Sequence, residues 1–77
     1  MEFRFQYLNP QGEWEDQGVA AGSGEEAVLE AIDGLIAQNG GTLAVGQYRY
    51  LPVDEGDLLQ WGTFELTPTG AVISPAN

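Results

Sequence analysis

The stretch that decides the fold is residues 23–41, SGEEAVLEAIDGLIAQNGG. Val28, Ala31, Ile32, Leu35 and Ile36 recur at the spacing of one helix face, and the intervening positions are mostly polar or small. Ser23 with Glu26 three residues later has the spacing of a capping box, and both Glu25 and Glu26 favour the positive end of a helix dipole. Asn39-Gly40-Gly41 supplies the left-handed residues that stop a helix. Gly34, inside the stripe, costs about 1 kcal/mol against alanine and is expected to mark a close approach to a sheet.

Working outward, residues 2–8 alternate. Phe3, Phe5 and Tyr7 share one side and Glu2, Arg4 and Gln6 the other, which predicts a half-buried strand. Asn9-Pro10-Gln11-Gly12 is a good type I turn. Residues 13–20 return as a second strand, in which Trp14 and Val19 share a face only if Gly18 introduces a bulge. Beyond the helix, residues 42–51 and 58–66 read as two more strands. Leu43 and Val45 are out of phase with Tyr48 and Tyr50 there, which suggests a second bulge at Gly46. Thr67-Pro68-Thr69-Gly70 is a turn, and residues 71–73 are long enough for a short fifth strand.

The order ββαβββ, with short links between strands, predicts a two-layer α+β fold. An antiparallel sheet of four to five strands carries one helix on one face, and its other face stays partly open. At 77 residues the chain is expected to form a single domain, 1–77, with a frayed C-terminus at about 74–77.

Charge and missing residue types bound the function. Twelve acids oppose two bases, Arg4 and Arg49, for a net charge of −10, and lysine, histidine and cysteine are absent. Nucleic acid and anionic membranes would repel such a chain, so an electrostatic partner should be basic. The common nucleophiles and general bases are missing too, so the chain is expected not to be an enzyme and to hold no cofactor. The lack of cysteine and of any signal-peptide pattern leans towards the cytoplasm, and no apolar run approaches the length of a membrane span.

Three acidic groups stand out. Glu26, Glu30 and Asp33 fall at i, i+4 and i+7 along one helix stripe of about 10 Å, with no cation on the helix to relieve them. Glu13, Glu15 and Asp16 border the second strand. Asp54, Glu55 and Asp57 crowd the loop before the fourth strand, where they have the hard oxygens that calcium or magnesium takes but not the spacing of an EF-hand. The plainer reading of that loop is a solvated hairpin tip, and no metal site is assigned. Together the groups can imitate a phosphate backbone or dock a basic surface. The alternatives are an ordinary solvated face and adaptation to high salt; against the latter, glutamate outnumbers aspartate and large apolar residues are plentiful.

One helix cannot cover eight aromatic rings. Of Trp14, Tyr48, Tyr50 and Trp61, some are expected on the far face or an edge as interface anchors, with Arg49 paired across the hairpin to an acid such as Glu65. In size, acidity and lack of catalytic residues the chain resembles small phage-encoded inhibitors of bacterial defence systems, a compositional resemblance that assigns no residue. The expected function is stoichiometric binding to a basic protein, with nucleic-acid mimicry as its sharpest form. The alternative is a structural or assembly subunit that self-associates or docks through an aromatic sheet face. A cation or small-ligand binder comes third.

Overall fold

Residue 5 sits at the centre of the structure, with no exposed surface. The computed structural model describes residues 1–53 and 62–73. Strands β1 (Glu2–Leu8), β2 (Trp14–Ala21), β3 (Gly46–Pro52), β4 (Gly62–Thr67) and β5 (Gly70–Ile73) form an antiparallel sheet in the order β2-β1-β3-β4-β5, and helix α1 (Ala27–Gln38) follows β2. The two-layer α+β architecture read from the sequence is the one observed. Central β1 pairs with β2 on one side and β3 on the other. The helix lies mainly on β2, with less contact to β1.

Asn9 organises the first turn. Its side-chain oxygen accepts the backbone N–H groups of Gln11 at 3.0 Å and Glu13 at 2.8 Å, while Gly12 donates to the Asn9 carbonyl at 2.9 Å. The expected bulge at Gly18 is present. Phe5 faces Gly18 but Gln6 faces Asp16, so Gln17 is the extra residue, and Gly18 takes a φ of +101° that a side chain resists. That extra residue reverses the alternation within β2. Ala20 goes to the helix side with Phe3, and Trp14, Asp16 and Val19 go to the far side with Leu8, Gln6 and Arg4.

The helix buries Ala31, Ile32 and Leu35, with Val28 and Ile36 half-buried beside them. It ends as its sequence predicts: Gly41 donates to the Ile36 carbonyl at 2.9 Å and Gly40 to that of Ala37 at 3.2 Å, the two bonds of a Schellman cap. Its start differs. Glu26, not Ser23, is the N-cap, and no side chain caps the helix. A tertiary contact wins here over the local signature. Gly22 packs so tightly on the first turn that a Cβ there would overlap the Ala27 carbonyl oxygen, and Gly24, at φ +75°, turns the chain between Ser23 and the helix. Gly34 does lie against the sheet, facing Ala20 of β2, but a Cβ there would meet the Ala20 Cβ at an ordinary 3.9 Å, so the approach does not require glycine.

The third strand is shorter than expected. Residues 42–45 are not strand, and pairing from Gly46 to Tyr50 against β4 is continuous, with no bulge at Gly46. The mismatch in phase between Leu43, Val45 and the tyrosines reflects a boundary. Residues 58–61 of the expected fourth strand, and the C-terminal 74–77, lie outside the described residues. The turn before β5 is closed by Thr67, whose hydroxyl donates to the Gly70 carbonyl at 2.8 Å.

Candidate functional site

Alternation fixes what each side of the sheet carries. On the helix side, Phe3, Phe5, Tyr7, Tyr48, Tyr50 and Phe64 form one linked set of rings. Tyr48 and Phe64 stack with centroids 5.0 Å apart and planes 7° apart, and Phe64 meets Phe5 edge-on at 6.0 Å. Tyr48 is thus a core residue, 1% exposed, and not a surface anchor. Its hydroxyl donates to the Ala44 carbonyl at 2.6 Å, and burial, helped by the neighbouring Tyr7, pushes its pKa up to about 12. Tyr50 belongs to the same side, half-buried, with its ring lying over Gly62. Burying these rings needs less helix than composition suggests, because they cover one another and residues 43 and 44 lie over their end.

Of the expected anchors among the described residues, Trp14 is the one that reaches the far side. The Arg49 guanidinium sits 4.4 Å from the centre of its ring, and Arg49 Nε donates to Gln6 Oε1 at 2.7 Å. Arg49 thus reaches Gln6 of β1 and Trp14 of β2, while in the register of β3 and β4 Glu65 stands opposite Gln47 and Thr63 opposite Arg49. Arg4, also on the far side, donates to Asp16 at 3.1 Å, the one ion pair among the described residues. Sequence reasoning missed this grouping of Trp14, Gln6, Arg4 and Arg49. Its signal was available: both arginines occupy strand positions out of phase with the phenylalanines.

The acidic residues divide differently from their order in the chain. Glu26, Glu30 and Asp33 are all exposed along the outer side of α1, where Leu29 is also 37% exposed. Glu13, Glu15 and Asp16 are exposed as well, but they do not form one field. Glu15 stands opposite Tyr7 and accepts from the Asn9 side chain at 2.8 Å, whereas Asp16 faces the other way, onto Arg4. Asp54, Glu55, Asp57 and Trp61 lie outside the described residues.

Chemistry elsewhere is sparse. Among the described residues no group of three acids is arranged to hold a metal ion, and no buried polar side-chain atom lacks a partner. An open groove of about 310 Å³ runs between the end of α1 and the β4–β5 turn. Ile36, Leu43, Val45, Leu66 and Pro68 line it together with small polar residues, and no ionisable side chain does. No helix among the described residues is long and apolar enough to cross a membrane. Set against protein-family models, curated proteins and solved structures, the chain matches none.

Proposed function

We propose that this chain is a non-catalytic binding protein that offers the outer face of α1 to a basic protein partner. The observation that carries the reading is a separation of charge. Glu26, Glu30 and Asp33 line the exposed side of the helix, while both arginines, Arg4 and Arg49, lie on the opposite side of the sheet. A stripe of carboxylates with no local cation costs the helix a few tenths of a kcal/mol per like-charged pair. In return it projects an unopposed negative field, which steers a cationic surface into contact and fixes its register. A partner that normally holds nucleic acid is the most demanding match, since the helix would then occupy the place of phosphates.

The test compares the wild type with Glu26→Gln/Glu30→Gln/Asp33→Asn as bait in lysate capture, with stepwise salt washes and mass spectrometry of each fraction. The expected result is a basic protein held by the wild type, released as salt rises through a few tenths molar, and absent from the variant. A specific partner that survives high salt, or one captured equally by the variant, would overturn the reading.

A further inference from the structure

We propose that Asn39 is a site of covalent modification: the folded end of α1 holds its deamidation in check, and deamidation, once it occurs, breaks that end open. Asn39 is followed by Gly40, so no side chain shields the next backbone nitrogen from the asparagine amide. Deamidation bonds the Gly40 nitrogen to Asn39 Cγ and expels the side-chain nitrogen, with the Gly40 proton, as ammonia. Water then opens the resulting succinimide and leaves aspartate or isoaspartate. Asn39, Gly40 and Gly41 are all exposed, and a Cβ at either glycine would meet nothing within 4 Å, so water has access. Asn9, by contrast, precedes Pro10, which has no N–H to lose.

Hydrogen bonds keep the two reacting groups apart. Asn39 Nδ2 donates to the Leu35 carbonyl at 2.8 Å, which turns the amide back along the helix. That bond has a structural cause. The Asn39 backbone N–H goes to the Ile36 carbonyl at 3.1 Å, so the side chain supplies the donor that the Leu35 carbonyl would otherwise lack. Gly40, the nucleophile, donates its N–H to the Ala37 carbonyl at 3.2 Å, and Gly41 fixes the turn on Ile36 at 2.9 Å. The Gly40 nitrogen must give up its proton to attack, so reaction waits for the last turn to open. The product cannot close that turn as before. A carboxylate has no proton for the Leu35 carbonyl, and it adds negative charge at the negative end of the helix. Isoaspartate also inserts a methylene into the backbone. Ile36, Gly41, Thr42 and Leu43 wall one side of the groove beside the β4–β5 turn, so loss of the cap loosens that wall as well.

Mass spectrometry of the full chain incubated in mildly alkaline buffer, with and without urea beyond the unfolding midpoint, reads the outcome. The expected result is a gain of about 1 Da, placed at Asn39 by peptide mapping, that accumulates at least about tenfold more slowly in buffer than in urea. Gly41→Val leaves the reacting pair intact but sets a β-branched residue at φ +96°, and it should speed the reaction in buffer at least about threefold. Asn39→Asp, the product made directly, should melt about 5 °C below the wild type. Equal rates with and without urea would overturn the proposal, as would an Asn39 left unmodified in both. So would an Asn39→Asp chain as stable as the wild type, or a folded Gly41→Val chain that reacts no faster. The comparison in urea uses the wild type alone and decides the question should Gly41→Val fail to fold. No step involves a partner, so this proposal and the capture of a basic protein fail separately.

Discussion

The two faces of the sheet are built from the same strands and held by different physics. In β1 and β3, odd positions of one and even positions of the other send Phe3, Phe5, Tyr48 and Tyr50 to the helix side. Their neighbours Arg4, Gln6, Arg49 and Leu51 go to the far side. The helix side is nearly dry, with Phe5, Phe64, Leu35 and Ala31 fully covered and no charged group among them. The far side is polar, and its described residues include the Arg4–Asp16 ion pair, the Arg49–Gln6 hydrogen bond and the Arg49–Trp14 cation–π contact. Stability is therefore concentrated on one face.

Removing a ring tests that asymmetry hardest. Phe64 is 0% exposed and contacts the rings of Phe5, Tyr48 and Tyr50. Phe64→Ala should cost about 3–5 kcal/mol, enough to unfold most of a domain whose total stability is expected near the low end of about 5–15 kcal/mol. Urea titration followed by circular dichroism measures it. A cost below about 1 kcal/mol would mean that the core lies elsewhere.

Second in size is the join between the layers. Gly22 ends the sheet against the first turn of α1, and a methyl group there strikes the Ala27 backbone, which has no side-chain torsion by which to yield. Gly22→Ala should cost about 3 kcal/mol and lower the melting temperature accordingly. An unchanged melting temperature would show that the helix is free to slide on β2.

Next comes the buried phenol. Tyr48 titrates at about 12 in the folded chain against a usual value near 10, because burial and the adjacent Tyr7 disfavour its anion. Below pH ~10 both folded and unfolded phenols are protonated, and nothing is lost. Between about 10 and 12 the unfolded chain ionises while the folded one does not, so stability falls with rising pH by about 2–3 kcal/mol in all. Tyr48→Phe should forfeit about 1 kcal/mol at neutral pH, with the Ala44 carbonyl left unbonded, yet show a shallower alkaline decline. Denaturation curves from pH 8 to 12 compare the two; parallel declines would assign the effect to other groups.

Elements were legible in the sequence where a single local period governs them, and were obscured where contacts between distant residues decide. The alternation of β1 and the stripe of α1 are properties of one face meeting one core, so they show directly. Even the bulge at Gly18 was readable, because Trp14 and Val19 reach the same face only through an extra residue. The mismatch around Gly46 had two solutions, a bulge or a strand end, and the Tyr48 hydroxyl's bond to Ala44 belongs to the second. Ser23 lost its capping role to the packing of Gly22 on Ala27. As for the surfaces, the helical acids were visible by spacing and are exposed. The acids of 13–16 looked contiguous only because linear order hides the alternation that sends Glu15 and Asp16 apart.

The smallest effect belongs to the far face itself. Trp14 and Arg49 make a cation–π contact at 4.4 Å, with the guanidinium oriented by Gln6. In a partly solvated site such a contact is worth about 0.5–1 kcal/mol. A double-mutant cycle with Trp14→Leu and Arg49→Met isolates it, provided both single variants keep the spectrum of the wild type. The coupling should be near that range, and either variant alone should cost far less than Phe64→Ala. A coupling above about 2 kcal/mol would erase the contrast between the faces, since the far side would then hold the fold as well.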